Sequence, residues 1–413
     1  MRLPLTAILT VYFLTFVIDY YNYLQFKAYD RKIKRRLPSR LYLASVAAGL
    51  LAVTVAVCLP RRSAEESVLP AMWLLYGWAT LYIIKLLYAV FSLVGKIPAI
   101  FRRRSIDLGL WVGIPVGTAL SAAMWWGALV TVRSMEITET EIVSPDIPAS
   151  FDGYRIVQLS DLHVGTWGKD TAFVSSLVDE VNALKPDVVV FTGDIVNRQT
   201  SELSPFVSVL KRLKAPDGTY AILGNHDYGD YISWDSPKAK EDNLSALKSH
   251  FKEMGWVLLD NTHTYIRNQA DSIALIGVGN WGEPPFHQYG NLSKALVAGN
   301  DTVDMLNPAA FAILLSHNPE HWNQIVSRKT GLHLTLSGHT HAMQMMISAG
   351  GKKWSPASWR YEQWGGLYER NGKNGKSRLY VNIGAGEVGI PARIGAVPEI
   401  SLIVLRHQNR DAR

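Results

Sequence analysis

The sequence of 413 residues predicts an N-terminal region of four transmembrane helices, residues 1–135, followed by a C-terminal α/β domain, residues 136–413. Long apolar runs are confined to the first part. In the second part, short apolar runs alternate with segments of helical periodicity, which is typical of α/β domains. Five of these short runs are followed by polar side chains, and α/β domains usually carry their functional sites at such strand ends.

Four apolar runs in the first part each reach the roughly 20 residues that a helix needs to cross the hydrocarbon core of a bilayer. Four such runs within 135 residues are too many for the buried helices of a soluble protein. The first run ends in polar residues rather than in the small-residue cleavage site of a signal peptide. We therefore predict a multi-pass protein of the cell (inner) membrane, with spans at Leu3–Leu24, Leu41–Leu59, Ala71–Gly95 and Leu108–Val132.

The basic residues between the predicted spans indicate an orientation. Residues 27–40 contain seven Lys or Arg and residues 96–107 contain four, whereas residues 60–69 contain two. Because cytoplasmic loops are enriched in Lys and Arg, the two basic loops are predicted to lie in the cytoplasm. Four spans then place both termini and the C-terminal domain on the extracytoplasmic side.

Charge and cysteine content limit the classes of partner. The net charge of +7 divides into +11 for residues 1–135 and −4 for the rest. The basic charge therefore belongs to the membrane part and indicates contact with membrane lipids, not with nucleic acid. Cys58 is the single cysteine, which excludes an intrachain disulfide and a cysteine-based zinc site. Lys85 lies inside the third predicted span, and the sequence assigns it no role.

The second part has the predicted strands and helices of an α/β domain. Residues 136–150 are mixed polar and are predicted to join the two parts, and Gly229–Asn300, rich in Trp, Tyr and Pro, is predicted to form a rim over a site. Helical periodicity covers Thr171–Leu184 and Asn243–Met254. Strands are predicted at Tyr154–Leu159, Asp187–Phe191, Tyr220–Leu223, Val257–Leu259, Ile273–Val278, Phe311–Leu315, Leu332–Leu336, Leu379–Asn382 and Ile400–Leu405.

Five of these strands end in carboxylate, imidazole or amide side chains that can bind a metal. Two divalent ions about 3.5–4 Å apart can bind a phosphoryl group and generate a nucleophile from water at neutral pH. A carboxylate can bridge two ions, whereas a neutral imidazole cannot, and a set of oxygen and nitrogen ligands without thiolates suits Mn, Zn or Fe. The side chains of these types at the five strand ends are Asp161, His163, Asp194, Asn225, His226, Asp227, His317, Asn318, His339 and His341.

The order of these motifs resembles that of the calcineurin-like metallophosphoesterases, over about residues 152–407. Two later motifs, Gly366-Leu367-Tyr368 and Gly389-Ile390-Pro391-Ala392-Arg393, resemble the bacterial membrane-associated branch of that family. The resemblance implies a four-layer α-β-β-α sandwich with a centre of two divalent metal ions. The motifs that carry it are Asp161-Leu162-His163, Gly193-Asp194, Gly224-Asn225-His226-Asp227, His317 and Gly338-His339-Thr340-His341.

The resemblance also implies roles for individual residues. A hydroxide bridging the metals would attack phosphorus, and His226 would stabilise the transition state or protonate the leaving oxygen, with Asp227 orienting its ring. Arg393 would pair with a phosphate of the substrate, unless it is a surface loop residue. Asp161, His163 and His341 would hold one metal, Asn225, His317 and His339 the other, and Asp194 would bridge them.

One position departs from the family pattern. The family commonly continues Gly-His-Thr-His with two glycines and a glutamine, whereas this chain continues with Ala342-Met343-Gln344. The added side chains stand directly after the ligand His341. They are expected to narrow the pocket or to change which substrate it accepts.

These observations predict a membrane-anchored, metal-dependent hydrolase of a phosphomonoester, a phosphodiester or a pyrophosphate, with lipid-linked substrates included. A cytoplasm-facing pyrophosphatase for a UDP-linked diacylated glucosamine is an alternative, which the predicted extracytoplasmic location disfavours. A catalytically silent membrane sensor or scaffold that binds metal is a second alternative, which the complete ligand set disfavours.

Overall fold

The computed structural model describes residues 5–59, 67–101, 105–284, 286–298, 301–303, 311–372 and 375–409. The chain divides into two compact units. The first comprises Met1–Leu129 together with Gly389–Ala392, and the second comprises Val130–Val388 together with Arg393–Arg413. The loop at residues 60–66 and the arginines at 102–104, used above for the orientation, lie outside the described residues.

The first unit is helical. Within the described residues, three of its segments are long and apolar enough to cross a membrane: Leu37–Cys58, Leu69–Ile100 and Gly109–Arg133. The prediction of four apolar spans therefore holds for three, since the first predicted run forms a long helix that carries Asp19 and Asn22 near its middle. The helices are α1 (Leu5–Ile33), α2 (Leu37–Cys58), α3 (Leu69–Val94), α4 (Ile97–Ile100) and α5 (Ile114–Leu129), with a π-helical turn at Gly109–Gly113.

A buried ion pair connects two helices of this unit. Lys85 Nζ of α3 lies 3.0 Å from Asp19 Oδ1 of α1. The hydroxyl of Tyr42, on α2, donates to the same carboxylate at 2.6 Å, and the hydroxyl of Tyr82 also donates to it. Lys85, for which the sequence shows no partner, is thus paired, and α1 contributes to the stability of the helical unit because an unpaired charge in apolar surroundings is costly.

The second unit contains two six-stranded mixed sheets. The strand order is β1-β16-β2-β3-β4-β5 in the first sheet and β14-β15-β11-β10-β7-β6 in the second. The strands are β1 (Glu136–Ser144), β2 (Arg155–Leu159), β3 (Val188–Phe191), β4 (Thr219–Ala221), β5 (Val257–Leu258), β6 (Thr262–Asn268), β7 (Asp271–Gly277), β8 (Val297–Ala298), β9 (Asp301–Thr302), β10 (Phe311–Leu315), β11 (Leu334–Ser337), β12 (Ile347–Ala349), β13 (Lys352–Trp354), β14 (Gly366–Gly372), β15 (Gly375–Val381) and β16 (Glu399–His407).

Five helices accompany these strands. Thr171 and Leu184 flank α6, as the helical periodicity predicts, and the helix predicted at Asn243–Met254 begins earlier because Ser236 caps it by accepting from the N–H of Ala239. The helices are α6 (Ala172–Ala183), α7 (Val207–Leu210), α8 (Pro237–Met254), α9 (Leu292–Ala295) and α10 (Ser327–Lys329).

The buried side chains show how the layers stack. Successive residues of a strand point to opposite faces of its sheet. Along β3, Val190 belongs to the core between the two sheets, whereas Val189 packs with Phe251 of α8. Along β10, Ile313 belongs to the same central core and Leu314 to a third cluster on the outer face of the second sheet. Helices, sheet, sheet and helical segments therefore follow one another, and the predicted α/β fold is confirmed.

One predicted connection is a strand. Residues 136–150 are predicted to join the two parts, and within them Glu136–Ser144 forms a strand that pairs in parallel with Glu399–His407 along its full length. Its polar composition reflects its position at the edge of the sheet, where most of its side chains remain exposed. Polar edge strands of this kind give no continuous apolar signal.

Candidate metal centre

The candidate ligands come from the carboxyl ends of parallel strands in both sheets. In the first sheet, Asp161 follows β2, Asp194 follows β3 and Asn225 follows β4. In the second sheet, His317 follows β10 and His339 follows β11. Because the carboxyl ends of neighbouring parallel strands meet at one edge of a sheet, the two sheets deliver their ligands to a common site.

Three side chains form a first ligand group. Asp161, His163 and His341 each offer one ligand atom, and these atoms lie within 4.8 Å of one another. His341 Nε2 lies 3.1 Å from Asp161 Oδ1 and 3.1 Å from His163 Nε2. All three side chains are buried. Imidazole nitrogens and a carboxylate oxygen that converge in this way have the arrangement of ligands to one cation.

A second ligand group lies beside the first. His317 Nε2 lies 3.2 Å from Asp194 Oδ2, 3.2 Å from His339 Nδ1 and 3.1 Å from Asn225 Oδ1. Asp194 Oδ2 is also 3.6 Å from His163 Nε2 of the first group. One carboxylate oxygen of Asp194 thus lies between the two groups.

The ligand loops adopt an uncommon backbone conformation. Side chains other than glycine rarely have a positive φ, because Cβ then approaches the following carbonyl oxygen. Such conformations persist at functional sites where the surrounding structure holds them. Five of the seven candidate ligands have it: Asp161 (φ 53°), His163 (φ 42°), Asp194 (φ 60°), His339 (φ 75°) and His341 (φ 50°).

Two glycines allow the ligand loops to approach each other closely. A Cβ on Gly224 would lie 2.2 Å from Asp194 Oδ1, and a Cβ on Gly338 would lie 2.2 Å from Asp161 Oδ2 and 1.9 Å from Ser160 Oγ. Ser160 Oγ itself donates to Asp161 Oδ2 at 2.5 Å. Any side chain at these two positions would displace a candidate metal ligand.

The buried charges of the site compensate one another. Burial opposes ionisation of Asp161, but the neighbouring His341 and His317 lower its pKa below the usual range; likewise, burial opposes ionisation of Asp194 while His317 and His226 lower its pKa. Burial opposes protonation of His317, but Asp194 and Asp161 raise its pKa to about 10. Two buried carboxylates therefore require positive charge, which a divalent cation would supply in place of the proton.

His226 and Asp227 lie next to the ligands. The prediction that the Asp227 carboxylate orients the His226 ring does not match their hydrogen bonds in the described part of the chain. His226 Nδ1 donates to the carbonyl oxygen of Asn197 at 2.6 Å, and this bond orients the ring. The Asp227 carboxylate accepts from the backbone N–H groups of residues 194–196 and Gly224, over 2.8–3.3 Å. Asp227 thus holds the backbone around Asp194 rather than the ring of His226.

Arg393 lies in the interior of the unit. Its side chain has no exposed surface. Its guanidinium donates to the carbonyl oxygens of Gly386 at 2.8 Å, Ala396 at 3.1 Å and Ile383 at 3.1 Å. Nη2 also lies 3.3 Å from His341 Nδ1. Arg393 is therefore neither a surface loop residue nor placed to bind a substrate phosphate, and its contacts are those of a positioning residue behind His341.

Two tyrosines that sequence reasoning missed hold ligands of the second group. The amide nitrogen of Asn225 donates to Tyr231 Oη at 2.8 Å, which turns the amide oxygen towards His317. His339 Nε2 lies 3.0 Å from Tyr361 Oη, and in the tautomer in which Nε2 donates to that oxygen the Nδ1 lone pair faces His317. Such outer partners fix the tautomer and orientation of metal ligands. The aromatic-rich Gly229–Asn300 segment was the signal for Tyr231, whereas Tyr361 had none.

The donor set fits divalent metal ions. Asp194 Oδ2 faces imidazole nitrogens of both groups, at 3.2 and 3.6 Å. His317 Nδ1 donates to the carbonyl oxygen of Thr192 at 2.8 Å, so the lone pair of its Nε2 remains for a cation. Mixed imidazole, carboxylate and amide ligands without thiolates suit Mn, Zn or Fe.

Fold and site together define a metal-dependent hydrolase of phosphoric esters. Residues 154–343 match the family model described as Calcineurin-like phosphoesterase, so this part of the chain is a domain of that family. The predicted family is thereby confirmed.

Several known proteins are similar to this chain. It is 28% identical over 315 residues to the uncharacterized metallophosphoesterase YkuE of Bacillus subtilis, which covers 74% of this chain and 98% of that protein. It is 31% identical over 291 residues to a transmembrane protein with metallophosphoesterase domain of Danio rerio, covering 68% of this chain and 60% of that protein. It is 28% identical over 272 residues to the UDP-2,3-diacylglucosamine pyrophosphatase LpxG of Chlamydia trachomatis, covering 59% of this chain and 80% of that protein.

Proposed function

We propose that this protein is a membrane-anchored phosphoesterase that uses two divalent metal ions to hydrolyse a phosphomonoester, phosphodiester or pyrophosphate bond of a lipid-linked substrate. The observation that carries the proposal is the position of Asp194 Oδ2, 3.2 Å from His317 Nε2 and 3.6 Å from His163 Nε2. When bound, the ions would polarise the phosphoryl group and make water nucleophilic at neutral pH. Asp161, His163 and His341 would hold one ion, Asn225, His317 and His339 the other, and Asp194 both.

His226 is the residue placed to move a proton. Because Nδ1 donates to the Asn197 carbonyl, Nε2 is the ring atom that can exchange a proton with a group in the site. In the protonated ring, Nε2–H would donate to the oxygen that leaves phosphorus as the P–O bond breaks. The ring of Tyr231 stacks on that of His226 at 4.2 Å and keeps its plane fixed.

The extracytoplasmic location rests on the basic turn between α1 and α2. Residues 27–40 carry seven Lys or Arg, which favours the cytoplasmic side for this turn. Three candidate spans follow it. An odd number of crossings from the cytoplasm leads to the opposite side, so the location of the catalytic domain does not depend on whether α1 itself crosses the bilayer.

The substrate class is inferred from the relatives. One of them is named a UDP-2,3-diacylglucosamine pyrophosphatase, an enzyme for an amphiphile with a pyrophosphate bond, and another is named a transmembrane protein. A lipid-linked phosphoester or pyrophosphate is therefore the proposed substrate. A cytoplasm-facing pyrophosphatase for a UDP-linked diacylated sugar is the second candidate. The two candidates differ in the side of the membrane on which the catalytic domain lies.

The activity is tested on the full-length protein purified in detergent. The protein is stripped with a chelator, reloaded with Mn²⁺, Zn²⁺ or Fe²⁺, and assayed against a chromogenic phosphodiester, a phosphomonoester and a lipid-linked pyrophosphate. Asp194→Asn should lower kcat/KM by more than about a hundredfold, because even outer partners of a metal ligand are worth about 10–100-fold. The control is Asp187→Asn, since that carboxylate accepts one backbone N–H from Arg155, at 2.7 Å.

Two results would overturn the proposal. A metal-loaded protein that cleaves no phosphoester would favour the silent sensor instead. Equal activity of Asp194→Asn and the wild type would remove the bridging role of Asp194.

Sidedness is tested with an impermeant maleimide on intact cells whose outer membrane, where present, has been made permeable. Cys58, which is exposed, is first replaced by serine. Single cysteines are then introduced at Lys252, exposed at the end of α8, and at Lys34, in the basic turn. Labelling of Lys252→Cys with protection of Lys34→Cys is expected. The reverse pattern would make the cytoplasm-facing pyrophosphatase the leading function.

A further inference from the structure

We infer that the apolar residues following His341 form the binding surface for a hydrocarbon chain of the substrate, with Met343 as the residue that determines this specificity. The inference rests on the proposed function. Beyond that function, it assigns the part of the chain that recognises the lipid. We call this surface the apolar wall and define it as Met343, Met345, Ile347, Trp354 and Trp359, whose side chains are 45%, 38%, 57%, 42% and 79% exposed.

The apolar wall is built directly onto the metal site. Met343 lies two residues after His341, and the chain then continues into the β12–β13 hairpin, in which Ile347 pairs with Trp354. Ser355 Oγ, just after β13, donates to the carbonyl oxygen of Ala342 at 2.5 Å. The far end of the segment is attached as well, because Tyr361 Oη forms a hydrogen bond with His339 Nε2 at 3.0 Å. The segment that carries Trp354 and Trp359 is thus hydrogen-bonded, at Ser355 and at Tyr361, to the loop that carries His339 and His341.

The backbone at Met343 shows that a side chain is retained there against a conformational cost. Ala342 has φ 49° and ψ 31°, and Met343 has φ 47° and ψ 30°. This left-handed conformation is the one that glycine adopts freely and other residues adopt only with strain. Ala342 is fully buried in a small apolar cluster, whereas Met343 directs a flexible apolar side chain outwards.

The composition of the apolar wall favours the chain of an amphiphile over other occupants. The rings of Trp354 and Trp359 lie 5.7 Å apart, edge to face. Lys352 and Lys353, in the same hairpin, are exposed. Aromatic rings beside cations are typical of surfaces that meet lipid head groups, and methionine adapts to chains of varied shape. A substrate with its phosphate at the ligand groups could therefore lay its hydrocarbon chain along Met343 and the hairpin.

The test compares two substrates that differ only in their chains. One is a diacylated pyrophosphate in mixed micelles, and the other is its short-chain, water-soluble analogue with the same head group. The readout is the ratio of kcat/KM for the diacylated substrate to kcat/KM for the soluble one. Met343→Gly and Trp359→Ser should each lower this ratio about tenfold, the loss expected from removing one buried apolar contact. Met343→Gly should do so without lowering the thermal midpoint, since glycine relieves the left-handed strain.

Two matched controls isolate the side chain from the backbone. Ala342→Gly makes the same backbone change one residue earlier without altering the apolar wall, and Val257→Ser removes an exposed apolar side chain on β5. Both should leave the ratio unchanged.

The outcomes separate this inference from the proposed function. An unchanged ratio in Met343→Gly and Trp359→Ser would overturn the apolar wall, as would hydrolysis of the soluble substrate alone by the wild-type protein; both results leave the hydrolase function standing. A change of oligomeric state in Trp359→Ser, measured by light scattering in detergent, would show that a second copy occupies the surface and would also overturn it. Failure to cleave either substrate with any metal would overturn the proposed function itself.

Discussion

Gly338 offers the sharpest test of how the metal site is assembled. A Cβ at this position would lie 1.9 Å from Ser160 Oγ and 2.2 Å from Asp161 Oδ2. Carbon and oxygen in ordinary contact are about 3.3 Å apart. In Gly338→Ala, therefore, the loop bearing Asp161 must move by about 1 Å or more.

That displacement has a cost in both stability and activity. Overpacking a buried site typically costs about 1–3 kcal/mol of unfolding free energy. Asp161 Oδ1 lies 3.1 Å from His341 Nε2, so a shift of this size separates two ligands of the first group. A misplacement of about 1 Å can cost roughly a hundredfold in rate. We expect Gly338→Ala to lower kcat/KM by about that factor and to weaken metal binding.

The measurements are metal content after dialysis, thermal midpoint and kcat/KM, each on the full-length protein in detergent. Gly77→Ala is the control, because a Cβ at that glycine would meet no atom within 4 Å among the described residues outside its own helix backbone and chain neighbours, and alanine is the better helix former. Adding Ser160→Ala to Gly338→Ala should recover part of the loss, since it removes the nearest oxygen. Wild-type metal content and activity in Gly338→Ala would refute the close packing of these two loops.

Three further predictions concern protons and outer contacts of the site. The pKa of His317 is raised to about 10, so metal binding should release about one proton at neutral pH. The apparent Kd for the metal should therefore rise about tenfold for each unit by which pH falls. Calorimetry in buffers of different ionisation enthalpy measures the proton release. Tyr231→Phe keeps the stacked ring but leaves the Asn225 amide nitrogen without its acceptor, and should weaken metal binding about 10–100-fold; unchanged binding would contradict the role given to Tyr231. Burial lowers the pKa of His321, whose ring stacks on Trp281, to about 3. Between about pH 6.5 and 3 the unfolded chain therefore binds more protons than the folded protein, and the free energy of unfolding falls as pH drops through that window. At pH 5 this loss is about 2 kcal/mol, and His321→Phe should reduce the difference in thermal midpoint between pH 7 and pH 5; an equal difference in both proteins would argue against it.

The sequence was most informative where strands are buried on both faces. Every residue of β3 and β10 is apolar, whereas Gln158 interrupts the apolar residues of β2 and Thr335 those of β11. Polar residues directly after these four strands indicate the ligand loops. In contrast, β1 lies at a sheet edge and exposes most of its side chains, so its sequence predicts a polar join and not a strand. Local sequence patterns indicate which side chains are buried, and an edge strand buries few of its side chains.

The site was predictable in its residue types and less so in its outer contacts. The seven candidate ligands meet in two adjoining groups because each is fixed to a strand end. The surroundings of Arg393, by contrast, depend on three carbonyl groups from two other loop positions and its own turn, which no local pattern encodes. Tyr361 contacts His339 across 22 residues of chain for the same reason. Long-range contacts made by single polar atoms leave no periodicity to detect.

The ion pair within the helical unit has a consequence for the biogenesis of the protein. Asp19 and Lys85 are 66 residues apart, so α1 is synthesised and leaves the ribosome well before its counter-charge on α3 exists. In a bilayer, a lone carboxylate would hold α1 back at the insertion machinery until α3 arrives. If α1 crosses the bilayer, its integration should therefore be a joint event of α1 and α3, and shortening the chain after α2 would leave α1 poorly inserted even though its own sequence is intact.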